Sequence, residues 1–377
     1  MNLADIRKDI DQIDKQLVEL ILKRMDCSRR VAQYKKDNGL PVLDASREAA
    51  ILDKVAEMGG EHADAMRMIY SAIMEQSKAL QYPFVENKSV REFVPLKPHL
   101  EVKSIACQGI AGAYSGLAGS TLYPNAEITY CESFAEVCRL VKEGKVEYGV
   151  LPVENSWAGS VHEVYDLLIS GKFLIAESID AVIHHNLIGC KGAKISDIKR
   201  VVSHPQALRQ CAETVESIGA VPTECSNTAV AVKSVADGKD KSVGAIGSAQ
   251  AAKTYGLEII KSNIASSSFN TTRFVSISSV AQRCDDADKI SIVFTVSGHD
   301  KAGSLLTVLE HFASCNMSLS KIESRPIKNS KFEYVFYADF NGNLKEPKVA
   351  GVLATLAEEL PEFVLLGNYR EGLTQFE

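Results

Sequence analysis

The 377-residue chain contains no run of 18 apolar residues, so no segment of it reads as a membrane helix. It has no C-x-x-C pair and no His/Cys group at metal-ligand spacing. Its nine cysteines are scattered and odd in number, which reads as free, mostly buried thiols and no metal site. A basic surplus is also missing: the net charge of −6 argues against a nucleic-acid binder. No G-x-G-x-x-G follows a strand pattern and no phosphate loop is present, which argues against a nicotinamide cofactor. The chain enters a charged amphipathic helix without the apolar core of a signal peptide, so a cytoplasmic protein working without a cofactor is expected. Neither an internal repeat nor a low-complexity tract appears. What remains, 46% hydrophobic and 24% charged residues, is an ordinary globular composition long enough for two or three domains.

Leu3, Ile6, Ile10, Ile13, Leu17 and Leu20 alternate three- and four-residue spacings, the signature of a long helix with one buried stripe. The same rhythm then lands on Arg24, Cys27, Val31 and Tyr34, with Lys35 about 20° off the stripe. A guanidinium on a buried stripe needs a counter-anion from outside, or it snorkels to the surface at a fraying end. Residues 1–82 read as all-α: one helix from Leu3 to Asp37, a second behind Asp44 as N-cap, a third from Ala63 to Gln81. The first helix, about 50 Å long, exceeds what one small globule covers, so a dimer or partner is required.

Residues 83–101, with Pro83, Pro95 and Pro98 among charges, read as a linker. From about 102 to 281 short β-rich runs alternate with helices. The candidate strands are Ser104–Cys107, Tyr148–Val153, Lys199–Ser203, Ser242–Ile246 and Arg273–Ser278, in one or two largely parallel sheets. After a charged break, 288–377 reads β-α-β-β-α-β, with strands Ile290–Ser297, Leu319–Ser324, Glu333–Phe340 and Phe363–Tyr369: a ferredoxin-like order.

Polar residues late on the buried faces of the first and third helices suggest one internal pocket: Arg24 and Lys35 on the first, Ser77 and Gln81 on the third. Asp44, Arg47 and Glu48 open the second helix, although capping alone accounts for Asp44 equally well. Arg7 lies about 25 Å along the helix from Arg24, out of reach of its own pocket but not of a partner's. With these residues in place, 1–82 resembles the all-α chorismate mutase domain, an interlaced dimer. The resemblance implies that Arg24 and a partner's Arg7 pair with the two carboxylates of chorismate. Lys35 and Gln81 would donate to the breaking ether oxygen, Asp44 and Glu48 would hold the ring hydroxyl, and Arg47 and Ser77 would support them.

In the central region Ser, Asn and Thr sit where strands end and helices begin. The junctions are Gly112-Ala113-Tyr114-Ser115, Glu154-Asn155-Ser156, Ser203-His204-Pro205-Gln206, Ser226-Asn227-Thr228 and Gly247-Ser248-Ala249. Each alone is an ordinary cap, but together they suit a small anion in a crevice. With Asn270-Thr271-Thr272-Arg273-Phe274, these segments resemble prephenate dehydratase, a two-lobed α/β domain; Ile110 stands where many members have proline. The likeness implies Thr272 as the essential hydroxyl. Ser115, Glu154, Asn155, Ser203, Gln206 and Asn227 would bind substrate, Arg273 would either pair with a substrate carboxylate or face the lobe interface, and His204 is either an acid or a turn-shaping residue.

The last region resembles an ACT domain through Ala302-Gly303-Ser304-Leu305-Leu306 and Ile322-Glu323-Ser324-Arg325-Pro326; related members have Ala where this chain has Ser304. That likeness implies L-phenylalanine bound between two copies, near Gly303, Ser304, Leu305, Glu323, Ser324 and Arg325, and inhibiting the dehydratase. The whole reading is a bifunctional enzyme taking chorismate through prephenate to phenylpyruvate in phenylalanine synthesis, as a homodimer or higher homo-oligomer. A mutase fused to a prephenate dehydrogenase is opposed by the missing dinucleotide fingerprint. A pure amino-acid sensor is opposed by the complete helical pocket and the Thr-Arg-Phe segment.

Overall fold

Helix α1 (Leu3–Asn38) begins where the Asn2 side chain accepts the Asp5 N–H at 2.9 Å, and ends where Gly39 turns left-handed at φ 62°. Helix α2 (Ala45–Gly59) starts behind Asp44, whose carboxylate accepts the Arg47 N–H at 3.0 Å; α3 runs Ala63–Gln81. These ends lie within a residue or so of the sequence reading. The packed face of α1 does not follow it. Ser28 and Ala32 are buried, while Cys27, Val31 and Tyr34 are exposed. A straight helix of 3.6 residues per turn drifts about 20° per heptad from a 3.5-residue pattern, so the contact line slips one residue along. The stripe from Leu3 to Leu20 is 39–62% exposed in the single chain.

The computed structural model describes residues 2–85, 92–267, 269–296, 303–327 and 334–375. Ser297, Ala302 and Glu333, named in the sequence reading, lie outside them. The chain divides into two units, Met1–Glu92 with Asp288–Leu365, and Phe93–Ala287 with Leu366–Glu377. Among the described residues no helix is long and apolar enough to cross a membrane.

In the first unit the three helices share one body with a β-α-β-β-α-β arrangement. Its strands are Lys289–Thr295, Leu319–Pro326, Tyr334–Asn341 and Phe363–Tyr369, and its helices Ser304–Ser314 and Pro347–Glu359. The third strand lies antiparallel between the second and the first, and the fourth flanks the first, so Leu319–Pro326 is an edge strand. The C-terminal end of α3 docks on the Pro347–Glu359 helix. Tyr82 is buried there with its hydroxyl 3.0 Å from Thr355 Oγ1, and a Cβ on Gly351 would fall 2.2 Å from the tyrosine ring. Two segments expected to be separate domains therefore form one unit.

The second unit has two lobes. One holds a seven-stranded sheet in the order Glu371–Gln375, Leu174–Val182, Thr271–Ser278, Tyr148–Asn155, Ser104–Gln108, Glu127–Cys131, with Gly159–Ser160 paired off Tyr148–Asn155. The other holds five strands in the order Glu258–Lys261, Asn186–Gly189, Val243–Gly247, Arg200–Ser203, Val221–Glu224. Both sheets are mixed rather than largely parallel, and Thr271–Ser278 is antiparallel to both neighbours. The chain leaves the first lobe after Val182 and returns at Thr271, so its outgoing and incoming strands run oppositely. The Ile183 N–H donates to Asn270 O at 2.7 Å where they cross. Part of the expected linker also belongs to this unit, since Val94–Pro95 pairs with Gln282–Arg283. The expected C-terminal domain ends early: Glu371–Gln375 departs to extend the seven-stranded sheet beside Leu174–Val182.

Candidate active sites

In the first unit, α1 and α3 bring Arg24 and Ser77 into contact: Arg24 Nη1 donates to Ser77 Oγ at 2.6 Å. Gln81, one turn further and buried, donates from Nε2 to Ser77 O at 3.0 Å, which leaves its second amide hydrogen for a ligand. Lys35 donates to Val42 O at 2.5 Å. Burial pulls the Lys35 ammonium below its ordinary range, opposed by the charges of Asp44 and Glu48. Burial pushes the Glu48 carboxyl up, opposed by Lys78, whose ammonium lies 3.3 Å from it. The backbone N–H of Arg47 holds Asp44 below the usual carboxylate range, so its capping role is real. Arg47 itself is exposed, and so is Arg7. Arg24, Ser77 and Gln81 thus form one hydrogen-bonded group, and Lys35 and Glu48, with Lys78, a charged one beside it; cations and neutral donors of this kind suit a small dianion bearing a hydroxyl.

In the second unit a cleft of about 380 Å³ is lined by residues of both lobes, among them Ser115, Asn155, His204, Gln206, Asn227 and Thr272. Four of the five strand-to-helix junctions therefore meet there. The fifth holds the lobes together: Ser248 Oγ donates to Gly112 O at 2.9 Å. Gly112 has φ 87°, and a Cβ on it would meet Ala251 Cα at 2.8 Å, so this approach needs glycine.

Asn155 organises the cleft. Its Oδ1 accepts the backbone N–H groups of Trp157 (3.1 Å) and Ala158 (3.0 Å) and the side-chain amide of Gln206 (3.1 Å). Those donors settle which amide atom is oxygen, so Nδ2 is the donor to Asn270 Oδ1 (2.8 Å) and Thr272 Oγ1 (2.9 Å). The Thr272 oxygen is thereby an acceptor, and its own proton is left to point elsewhere. Ser115 Oγ donates to Gln108 O at 2.5 Å, and Asn227 caps the helix Thr228–Gly238 by accepting the Ala229 N–H at 2.7 Å. His204 Nδ1 accepts the Gln206 N–H at 3.2 Å, which makes it the cap of the helix it precedes, and burial lowers its pKa and so favours the neutral ring.

Three cleft residues escaped the sequence reading as site residues: His185, Gln210 and Asn270. His185 Nε2 and Gln210 Oε1 are 2.8 Å apart, and Asn270 Nδ2 donates to Gln210 Oε1 at 3.2 Å. His185 Nδ1 and Gln210 Nε2 are buried without a partner. Gln206 and Gln210, at i and i+4, offered a signal; His185 stands in no motif.

Three expected binding residues lie elsewhere. Ser203 is fully buried, its hydroxyl donating to Ile246 O at 2.8 Å across two parallel strands. Arg273 follows Thr272 on one strand and so points to the other face of the sheet. There it pairs with Asp180 (2.7 and 2.9 Å) and with Glu371 of the added strand. Glu154 is the cross-strand neighbour of Arg273 and shares that face. Arg273→Met is expected to leave two carboxylates without their cation. With that side chain 19% exposed, the cost falls below the fully buried case, at about 2 kcal/mol. Thermal denaturation should show a fall of about 4–8 °C in Tm. The KM for the substrate of the cleft should stay unchanged, and a large rise in it would return Arg273 to the cleft.

In the ferredoxin-like part Gly303 (φ 86°) starts the Ser304–Ser314 helix, whose first two residues are Ser304 and the half-buried Leu305. Glu323 and Arg325 occupy one face of the edge strand and the exposed Ser324 the other, with Glu323 3.5 Å from Lys321.

Residues 105–282 match the family model for prephenate dehydratase, and residues 6–82 that for chorismate mutase type II. An arogenate dehydratase/prephenate dehydratase of Arabidopsis thaliana is 36% identical over 372 residues, covering 92% of this chain and 88% of the relative. Among solved structures, a prephenate dehydratase from Arthrobacter aurescens in complex with L-Phe is 27% identical with a TM-score of 0.65, over 71% of this chain and 90% of that one. A protein described as a quorum-quenching acylase is 29% identical with a TM-score of 0.65, over 72% and 98%.

Proposed function

Since the chain belongs to the prephenate dehydratase family and carries a type II chorismate mutase domain ahead of it, we propose that it converts chorismate to prephenate and prephenate to phenylpyruvate, under feedback inhibition by L-phenylalanine. The observation that carries the dehydratase half is the Thr272 hydroxyl, held as acceptor by Asn155 with its proton left for the cleft. Prephenate loses CO2 and hydroxide together and becomes aromatic. The departing oxygen gathers negative charge, and a hydrogen bond from Thr272 stabilises it. Threonine is too weak an acid for full proton transfer at neutral pH, so donation is its role. Among the described lining residues there is no Lys or Arg, which leaves the ring carboxylate poorly stabilised and favours loss of CO2. The helices Tyr114–Leu122 and Thr228–Gly238 begin at the cleft and offer backbone N–H groups to the other carboxylate. Nor do those lining residues include Asp or Glu to meet an ammonium. This supports the keto acid prephenate over arogenate as substrate.

The mutase half is a unimolecular rearrangement that needs no nucleophile. Holding the reactive conformer and donating to the breaking ether oxygen suffice, the tasks of Arg24, Lys35 and Gln81. A second chain would cover the exposed stripe of α1 and supply its own Arg7 to the other carboxylate. Mixing two inactive variants, Arg7→Ala and Arg24→Ala, and refolding them together should then restore roughly a quarter of wild-type mutase activity, because half the dimers regain one intact pocket. No recovery would refute sharing of the pocket.

For L-phenylalanine, the Gly303 turn at a helix N-terminus and the nearby edge strand support binding between two copies. A 5- to 150-fold change in activity asks for about 1–3 kcal/mol of preference between two arrangements. The deciding experiment incubates the full chain with chorismate alone and identifies products by NMR, with and without millimolar L-phenylalanine. Phenylpyruvate, reduced by the amino acid, is expected. Accumulated prephenate would refute the dehydratase, and unchanged turnover would refute the regulation. Faster turnover of arogenate than of prephenate would overturn the substrate assignment.

A further inference from the structure

Lys78 follows Ser77 on α3, yet its side chain is only 3% exposed and its ammonium touches three carboxylates. Glu75 of the same helix is 2.8 Å away, Glu48 of α2 is 3.3 Å away, and Glu359 of the Pro347–Glu359 helix is 3.2 Å away. Behind them His311, buried in the Ser304–Ser314 helix, lies 2.6 Å from Glu75 and 2.8 Å from Glu359. A lysine is not buried cheaply, and no surface role explains it. Glu48 joins this cluster to the chorismate pocket through its ion pair with Lys78.

We propose that Lys78 is a positioning residue of the mutase, holding Glu48 ionised and aimed at the substrate hydroxyl, and that the ferredoxin-like part tunes that hold by sharing the same lysine through Glu359. The proposal rests on the mutase reading of the helical pocket. Ionised Glu48 accepts the hydroxyl hydrogen bond more strongly than the neutral acid does, and burial works against that state; Lys78 opposes the burial. The three carboxylates compete for one ammonium, so what Glu359 takes, Glu48 loses. His311, raised to about 9 because its two glutamate partners outweigh its burial, supplies the second cation that keeps the cluster from excess negative charge. The other charged groups facing the cluster are Lys35 of α1, Asp44 of α2 and Glu310, whose carboxylate accepts from Ser71 at 3.4 Å. The Pro347–Glu359 helix meets the end of α3 at Tyr82, Thr355 and Gly351, so a rearrangement of that contact changes how Glu359 shares Lys78.

The test is the mutase pH profile of the full-length protein. In Lys78→Met the acid limb of kcat/KM should move upward by about one unit. The loss should approach about tenfold at pH values below the limb and disappear above it, carried mainly by KM. Lys78→Arg should restore most of it. In a Glu48→Gln background, where there is no charge left to hold, Lys78→Met should change activity less than about twofold. A Lys78→Met profile superimposed on wild type, or an equal loss in both backgrounds, overturns the positioning role. If Lys78→Met does not fold by circular dichroism, Glu359→Gln decides: fewer competitors for Lys78 should shift the acid limb downward, and an unmoved limb overturns the proposal. A wild type that fails to rearrange chorismate refutes the mutase reading itself, a result distinct from all of these.

Discussion

Thr272→Ala is expected to lower phenylpyruvate formation from prephenate by about 10²–10³-fold while chorismate rearrangement continues at its normal rate. The size follows from what the side chain does. Asn155 donates to Thr272 Oγ1 at 2.9 Å, so the oxygen is held as an acceptor and the threonine proton is left for the cleft. Its removal leaves hydroxide to depart without a fixed hydrogen bond in a cleft that holds no charged lining residue among those described. Substrate binding rests on other groups, so the loss should appear in kcat with KM nearly unchanged. Thr272→Ser, which keeps the hydroxyl, should retain much of the activity. Loss of both activities in Thr272→Ala would contradict two independent sites. A loss confined to KM would make the threonine a binding residue only.

Lys35→Ala should cut mutase turnover by about 10²–10³-fold, on the order of 3–4 kcal/mol of barrier, with dehydratase kinetics on added prephenate unaffected. The ammonium donates one hydrogen to Val42 O at 2.5 Å, which holds it in place and leaves its other hydrogens for the ether oxygen. Its pH dependence has a definite sign. Burial lowers the Lys35 pKa, and the charged form is the active one. Mutase activity should therefore fall as pH rises through that lowered value, earlier than an ordinary lysine would dictate. The basic limb should vanish from the residual activity of Lys35→Ala. Near-normal rearrangement by a folded Lys35→Ala protein would remove the residue from the mechanism.

Much of this was legible in the chain because it depends on short-range physics. Asp44 and Gly39 end or start helices through bonds to neighbours a few residues away, and both could be read in advance. The dehydratase cleft was half legible for the same reason: caps at strand ends are local, and Ser115, Asn155, Gln206, Asn227 and Thr272 all line it. Arg273 was misread because one residue of displacement along a strand moves a side chain to the opposite face. Its partner Glu371 arrives on a strand nearly a hundred residues later, which no local pattern announces. Ser203 was misread because a serine at a strand end reads alike whether it caps a helix or ties two strands.

The amino-acid order alone therefore determined the three N-terminal helices and the β-α-β-β-α-β run, since periodicity, capping and strand alternation act over a turn or two of chain; Thr272 was marked only by the family resemblance of its motif. The tertiary structure alone decided which face of α1 packs, where a 3.6-residue helix drifts out of step with its own heptads. It also joined α3 to the C-terminal helices, seating Lys78 against Glu359, 281 residues away. A buried ammonium is tolerable only where folding brings carboxylates to it, and which carboxylates those are is a property of packing in three dimensions.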